Sequence, residues 1–504
     1  MKLDVIYIAK IIIETATPLR VGAGEQGILV DSLVARDVND LPYIPGTSLA
    51  GVIRHELSNR LENKSVIDAL FGSPGKHEGS DPIGTGSRII LSDAQLLGSK
   101  EERVHEGLMQ ALDDDPYYTL LRRLPERDHV RINEQGVAMD TGKYEEELVP
   151  KGVRFVFEME LHGTKEDETH WKDLLKLIHQ DFFRIGAGTR KGFGQLAVVD
   201  CRHRQFFLEN ETDMIAYLDR SSSLNEDTAE WRKFDDEVQE SGSYYHYRIK
   251  LEPELFFLFG AGVGNDEVNA EPKREYYFSW EDGRPHLQEE EVLIPATSVK
   301  GALSHRVAFH YNRLTKEYIE KVKEIDLKDM GLEFDPADVI KKFDFATHLT
   351  GLLEPDDPDS DEWEDLENRI RRITVDEVLA WKEFEAKVKS QRNFLSGKKD
   401  VNHTTGPNHA VQQLFGVALD EDTGARGKVI FSDLYLPKEN VETKVLAHVK
   451  IDRFTGGGID GALYAEEVVK SNTFYLDFFV EKSAFDGDNG GNIKKAFEAA
   501  LDDL

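Results

Sequence analysis

Two periods of apolar residues alternate along the first part of the chain. Val5 to Thr15, rich in Ile with Tyr among them, predicts a largely buried strand. A loop around Gly22, Gly24 and Gly27 follows, and Pro45-Gly46 marks a turn. Leu49, Val52, Ile53, Leu57 and Leu61 then recur at helical spacing, with Arg54, His55, Asn59 and Arg60 off that face. Thr47 or Ser48 offers a side-chain oxygen to cap this helix. Leu70-Phe71-Gly72 ends the helical region, and Ser87 to Leu96 alternates into a second strand. Between about Asp128 and Glu160, two strand-like ends flank a polar, Gly-containing middle, the pattern of a long protruding hairpin. Trp171, Leu174, Leu175, Ile178 and Phe182 mark a second amphipathic helix, which runs into Gly186 to Gly194 and a last strand, Gln195 to Asp200. Strand, helix, strand, strand, helix, strand is the order of a ferredoxin-like domain, so the expected class is α+β.

After a polar, charged stretch the same features return in the same order. Ile294 to Gly301 (IPATSVKG) matches Ile44 to Gly51 (IPGTSLAG), and Leu414-Phe415-Gly416 matches Leu70-Phe71-Gly72. GKVIFSDLYL from Gly427 matches GSRIILSDAQL from Gly86, and His448 to Ile451 matches His129 to Ile132. Tyr464, Glu466 and Glu467 echo Tyr144, Glu146 and Glu147. Landmarks in a fixed order describe a tandem duplication. The first unit is expected at 1–205, a linker with one helix at 206–243, and the second unit at 244–504. A charged, mostly helical insertion interrupts the second copy between about His310 and Asn408, and its run PDDPDSDEWEDLE reads as a solvated acidic face.

Composition narrows the partners. A chain of 504 residues is long enough for two or more domains with real cores, and 40% hydrophobic residues with 27 Phe exclude disorder. The formal charge of -33 repels nucleic acid overall, so RNA or DNA must be held by local basic strips. The single cysteine, Cys201, excludes a disulfide framework and a cysteine-built zinc site, and fits a reducing, cytoplasmic location. Acids interrupt the apolar N-terminal run, which reads as a strand rather than a signal or membrane segment.

Two stretches carry candidate chemistry. Asp31 lies a short loop upstream of the helix start at Gly46 to Leu49, whose free amides and macrodipole attract anions. A carboxylate close to bound phosphate suggests metal-assisted phosphodiester chemistry; the plainer alternative is a solvated loop acid. The second stretch, Gly186 to Gly194 (GAGTRKGFG), follows a helix and opens a strand, the reverse of a dinucleotide fold, and misses the GxGxxG spacing. Gly186, Gly188 and Thr189 frame Arg190 and Lys191, which can set amides and two cations against phosphates; the alternative is a plain turn.

Taken together, YIPGTSLAGVIRHEL, LFG, RIILSDAQL and RIGAGTRKGFGQL resemble the RAMP superfamily of CRISPR proteins, in particular backbone subunits of type III (Csm/Cmr-type) effector complexes. Two units in one chain resemble the fused double-backbone subunit of the type III-D branch. The resemblance implies two tandem ferredoxin-like (RRM-like) RAMP domains, each with a β-hairpin thumb that punctuates a guide-target duplex. It also implies a loop acid that cuts target RNA beside each thumb by attack of a 2'-hydroxyl on its own phosphate, leaving a 2',3'-cyclic phosphate and a 5'-hydroxyl. Asp31 matches that acid and would hold Mg2+ or Mn2+ weakly and transiently; Asp266 and Glu271 are the candidates in the second unit. Expected RNA contacts are Gly46, Thr47, Ser48, Arg54, His55, His129, Arg131, Gly186, Gly188, Thr189, Arg190 and Lys191 in the first unit, and Thr297, Ser298, Lys300, His305, Arg306, His448 and Lys450 in the second. His55, His129, His305 and His448 are also possible proton carriers, with a structural histidine as the alternative for each.

Implied partners are a CRISPR guide RNA, single-stranded target RNA and other type III effector subunits, with no membrane. The sequence departs from the family at Ala50, where Lys is usual and where the second unit has Lys300. The second unit also shows no Gly-rich loop and strand after its helix at Ile493 to Leu501, so a neighbouring subunit is expected to cover an open sheet edge. Two other functions compete: a guide-binding scaffold without an active acid, and a precursor-RNA processing nuclease, which needs a His or Lys acid/base near the Gly loop.

Overall fold

A computed structural model describes the chain apart from residues 1–2, 23–32, 62–63, 74–83, 101–102, 110–113, 133–137, 239–241, 263, 317–407, 421–422 and 472. The described residues form a mixed α/β protein with several small antiparallel sheets and eight helices. In the first copy β1 (Val5–Thr15), α1 (Gly46–Arg60), α2 (Lys64–Phe71), β2 (Ile89–Leu91), β3 (Gln95–Leu96), α3 (Pro116–Arg122), β4 (Glu126–Ile132), β5 (Ala138–Glu147), β6 (Arg154–Gly163), α4 (Glu168–Ile178) and β7 (Leu196–Phe207) follow in order. The linker adds α5 (Glu211–Leu218) and β8 (Arg232–Lys233). The second copy supplies β9 (Tyr244–Leu251), β10 (Arg274–Glu275), β11 (Phe278–Glu281), β12 (Arg284–Leu287), β13 (Glu291–Ile294), α6 (Ala296–Thr315), α7 (His409–Phe415), β14 (Gly416–Asp420), β15 (Thr423–Arg426), β16 (Val429–Ile430), β17 (Leu434–Leu436), β18 (Val441–Ile451), β19 (Gly458–Ser471), β20 (Phe474–Glu481) and α8 (Gly490–Leu501).

β1 is central because almost every side chain on it is apolar, and both of its faces are covered. The sheet runs β2-β6-β1-β7-β8, with β3 also on β6, and its pairings are antiparallel. On one face Tyr7, Ile11 and Ile13 pack with Leu49, Ile53 and Leu57 of α1 and Trp171, Leu174 and Ile178 of α4. On the other, Ile6 and Ile8 pack with Phe206 and Trp231, roofed by Ala216 and Tyr217. The strand expected over Ser87 to Leu96 breaks at Ser92-Asp93: Ser92 Oγ accepts from the Glu158 amide (2.9 Å), and Asp93 turns away to another partner. Of the two strand-like ends expected to make one long hairpin, only β4 and β5 pair as such; Arg154–Gly163 joins the main sheet as β6. In the second copy the corresponding sheet is β16-β20-β9, and β18 with β19 forms the second hairpin.

By compactness the chain forms one unit from Met1–Leu303, Arg426–Asp488 and Leu504, and another from Ser304–Ala425 and Asn489–Asp503. In the second unit Asn408 caps α7 by accepting from the Val411 amide, and its Nδ2 donates to Asn312 Oδ1 (2.8 Å) and the Ala308 carbonyl (3.1 Å). The middle of the expected insertion, 317–407, lies outside the described residues. Among the described residues no helix is long and apolar enough to cross a membrane.

Candidate nucleic-acid interface

Each copy starts its first long helix at a Pro, and in α1 neither Thr47 nor Ser48 caps it: Pro45 is the N-cap and no side chain of the helix start closes it. The free amide instead goes to a carboxylate from the strand region. Asp93 Oδ1 accepts from Gly46 N (2.8 Å), and Asp433 Oδ1 accepts from Ala296 N (2.8 Å). The Ser-Asp pair recurring in both copies is therefore a helix-capping device, and it corrects the expected side-chain cap. A negative group already meets each helix's positive end, so cations beside that end, rather than amides alone, must decide what else binds there.

Those cations come from the Gly-rich loop. Gly192 has φ +107, and a Cβ on it would lie 2.4 Å from Ala296 Cβ and 2.7 Å from Asp433 Oδ1. Only glycine lets the loop of the first copy touch the first residue of α6 in the second. Arg190 turns inward, donating from Nε to the Gly427 carbonyl (2.7 Å) and pairing with Glu481 (2.6 Å). Buried in this way, it serves as an internal tie between the copies. Lys191 donates to Tyr144 Oη (3.1 Å), sits over that ring at 4.6 Å and lies 3.4 Å from Glu146. Thr189 accepts from Arg426 (3.3 Å).

Lys300, on the first turns of α6, completes the cluster. Burial, together with the positive charges of Lys191 and Arg190, pushes its amine down to about 8. Among the described residues no carboxylate pairs with it. Arg184 and Arg426 are pushed down by burial and by Arg190 in the same way. Five cations thus gather in one place, where Glu481 answers Arg190, Glu146 answers Lys191, and Glu56 and Asp181 act on the arginines. A phosphate placed beside Lys300 would relieve the repulsion that Lys191 and Arg190 exert on it.

One wall of this cradle is the base of the first hairpin. Glu146 lies beside His129 (3.1 Å), Arg20 (2.7 Å) and Lys191. Burial pushes its carboxyl up, but the His129 imidazole and the charges of Lys191 and Arg20 prevail and hold it at about 2. His129 is buried, with its Nε2 close to Glu146 but not aligned as a hydrogen bond, and its ring stacks on Tyr144 at 4.9 Å. No His stands near the Gly loop in the sequence, yet the fold brings His129 to it, with ring centroids of His129 and Phe193 at 6.0 Å. The second hairpin repeats the pair: His448 stacks on Tyr464 at 4.9 Å, with Glu466 at 3.4 Å, but His448 is more than a third exposed. Beneath the first hairpin, Arg127 binds Asp433 (2.6 Å) and both oxygens of Glu275 (2.7 and 2.5 Å). This buried trio joins the copies, and sequence reasoning missed it; the repeated Ser-Asp was the available signal.

Other expected contacts are dispersed. Thr47 is exposed, and Ser48 and Thr297 are half-buried, as is Lys300, with Ser298 exposed beside them. Arg54 pairs with Asp68 (3.2 Å), and exposed His55 sits 3.3 Å from Asn59. His305 and Arg306 belong to the other compact unit, where Arg306 donates to Asp503 (2.7 Å). Arg131 lies on β4, and exposed Lys450 on β18. Asp266 is exposed, and Glu271 accepts from Asn265 (2.9 Å). Asp31 lies outside the described residues, and among those described no group of three or more His, Cys, Asp or Glu side chains is arranged to hold a metal.

The family model of the RAMP superfamily matches residues 12–197 and 281–504, one stretch in each copy. None of the curated proteins matches the chain. With more than half of its length matched, the chain belongs to the RAMP superfamily, which gives its cationic cradle a CRISPR-associated RNA-binding context.

Proposed function

We propose that the protein is a CRISPR RNA-binding backbone subunit of a type III effector complex, built of two ferredoxin-like RAMP units whose hairpins act as thumbs against a guide-target duplex. The strand order β2-β6-β1-β7 supports a ferredoxin-type palm in the first unit, and the two His-Tyr hairpins support thumbs in equivalent positions. The observation that carries the reading is the close approach of Gly192 to the first residue of α6, which brings Lys191 of the loop towards Lys300 of that helix, paired with no carboxylate among the described residues. In this reading the guide backbone runs through the cradle, Lys191 and Lys300 neutralise its phosphates, and Arg190 keeps the loop in place.

Binding of a guide-length single-stranded RNA, titrated across salt concentrations, tests this. Each neutralised phosphate contributes roughly -0.7 to the log-log salt slope on a single strand, so Lys191→Ala with Lys300→Ala should flatten it by about 1.4. An unchanged slope and affinity would reduce the cradle to an internal packing device.

The finer part of the proposal is that the assembled subunit cuts target RNA at Asp31, whose carboxylate would hold a divalent ion. Asp31→Ala should then remove one cut from the target ladder while the complex still assembles with guide. An intact ladder would favour the scaffold reading, in which the chain holds guide RNA without cutting. His129, which shares Glu146 with Lys191, gives the third reading, precursor processing, an acid/base candidate whose nearness to the Gly loop the sequence order concealed. Its burial and its carboxylate neighbour keep that reading behind the other two.

A further inference from the structure

The two sheets differ on one face. In the first, Ile6 and Ile8 of β1 are roofed by the linker segment through Trp231, Ala216 and Tyr217. In the second, the corresponding face of β9 and β20 carries rings and cations: Tyr244 and Phe479 pack on Phe182 of the first copy, and Arg248, Lys250 and Tyr475 stay exposed. The antiparallel register pairs Tyr244 with Glu481, His246 with Phe479, Arg248 with Asp477 and Lys250 with Tyr475, so these side chains share one side of the sheet. His246 stacks on Phe479 at 4.6 Å with ring planes 14° apart, and Arg248 lies over Tyr475 at 5.0 Å. Arg248 is 63% and Lys250 57% exposed, and Tyr475 is 45% exposed. Of the acids on this side, Glu481 pairs with Arg190, and Asp477 accepts from His246 (2.7 Å) and lies 3.9 Å from Arg248. Lys250 has Glu252 at 3.6 Å, an exposed pair that screens weakly.

At one end this face opens into a cavity of about 250 Å3, walled by Phe182, Tyr244, His246 and Phe479 and rimmed by His179 and Asp181. Phe182 and Tyr244 stack on each other at 4.3 Å. Aromatic walls whose rings already stack in pairs, a polar rim and two exposed cations on the same sheet face suit a planar heterocycle linked to phosphate. Drug-sized ligands take roughly 300–1,000 Å3, so this cavity is sized for one base rather than a whole nucleotide.

We infer that the exposed end of this face of β9 and β20, beyond the part that packs on Phe182, is a second single-stranded RNA site, separate from the cradle, in which one base enters the cavity and another base of the same strand stacks on Tyr475 beside Arg248 and Lys250. Aromatic residues on a sheet bind unstacked bases without regard to sequence. The exposed carboxylate of Asp181 adds a preference, because it accepts hydrogen bonds and offers none. Uracil's one ring donor, N3–H, is flanked by two carbonyl oxygens that repel a carboxylate, so bases with an exocyclic amine (adenine, cytosine, guanine) are favoured there over uracil.

The test uses the full chain bearing Lys191→Ala and Lys300→Ala, so that the cradle does not contribute, and fluorescent hexanucleotides read by anisotropy. Oligo(A) and oligo(C) should bind this protein more tightly than oligo(U). Adding Tyr475→Ala should weaken oligo(A) about tenfold, the loss expected for one stacked base. Asp181→Ala should narrow the gap between oligo(C) and oligo(U). Ultraviolet crosslinking of oligo(A) should map to β9 and β20. Crosslinks confined to other segments, or equal affinity with and without Tyr475→Ala, would overturn the inference. So would a Tyr475→Ala chain that loses association with a protein partner while keeping its RNA affinity. Tyr475 and Arg248 are surface residues, so Arg248→Ala serves as a second variant, and a circular-dichroism melt checks that each variant is folded. Loss of guide binding in the cradle variant without loss of hexamer binding separates this site from the one proposed above.

Discussion

Lys300 shows how one residue links sequence, burial and binding. Its amine is held near 8 by burial and by Lys191 and Arg190, well below the ordinary 10.5. Below about 8 it is charged in both the folded and unfolded chain; between 8 and 10.5 the unfolded chain binds the extra proton, so this group's share of stability rises with pH in that window. Phosphate has the opposite preference, because it favours the charged amine. RNA affinity is accordingly expected to fall as pH rises through about 8, and Lys300→Arg, which stays charged, should lose that fall. Anisotropy titrations of both proteins across the window check it, and parallel curves would remove Lys300 from the contact. Glu146 behaves in reverse. Held at about 2 rather than 4.5, it contributes stability above 4.5 that is lost as pH falls towards 2.

At the scale of elements, one motif does two jobs. Asp93 and Asp433 cap equivalent helices at the same 2.8 Å, but Asp93 is exposed, whereas Asp433 is also bound by Arg127 and its side chain is fully buried. Asp93→Ala should cost about 1 kcal/mol, the usual worth of a cap. Arg127→Ala should cost about 3–5 kcal/mol, because it strands Asp433 and Glu275 as buried carboxylates. Urea unfolding of the two variants should show this difference, and equal losses would mean that the trio is solvated. The contrast also marks how far the sequence could be read. Strand β1, the helices after Pro45 and Pro295, and both hairpin landmarks were legible because each is a local period or a repeat. The carboxylate caps were visible only as a repeated Ser-Asp, since their amides lie far away in the chain and no local period points to them. Arg190 was legible as a cation in a Gly loop, but its inward turn was not, because Glu481 and the Gly427 carbonyl come from the other copy.

The larger compact unit holds the first copy together with most of the strands of the second. Arg127, Arg190 and Gly192 of the first copy meet Asp433, Glu275, Glu481 and Ala296 of the second, and β16 and β20 fall in the same unit as β1. The contact is broad: the Gly loop and hairpin base of the first copy meet the start of α6, Glu275 and Glu481, while Phe182 stacks on Tyr244, Glu56 accepts from Tyr244, and Trp280 donates to the Gly152 carbonyl. A perturbation placed in the first copy should therefore be felt in the second. Arg190→Ala leaves Glu481 without its partner and frees the Gly427 carbonyl at the edge of β16. Faster amide exchange is expected over Gly427 to Ile430 and Phe474 to Glu481 as well as in the Gly loop, with β1 and β6 changed little, because Arg190 makes no bond to them. Hydrogen exchange with peptide resolution reads this directly. Two domains joined only by a linker would confine the change to the first copy, whereas a shared body carries it across the duplication to the strands beneath the proposed base-binding face.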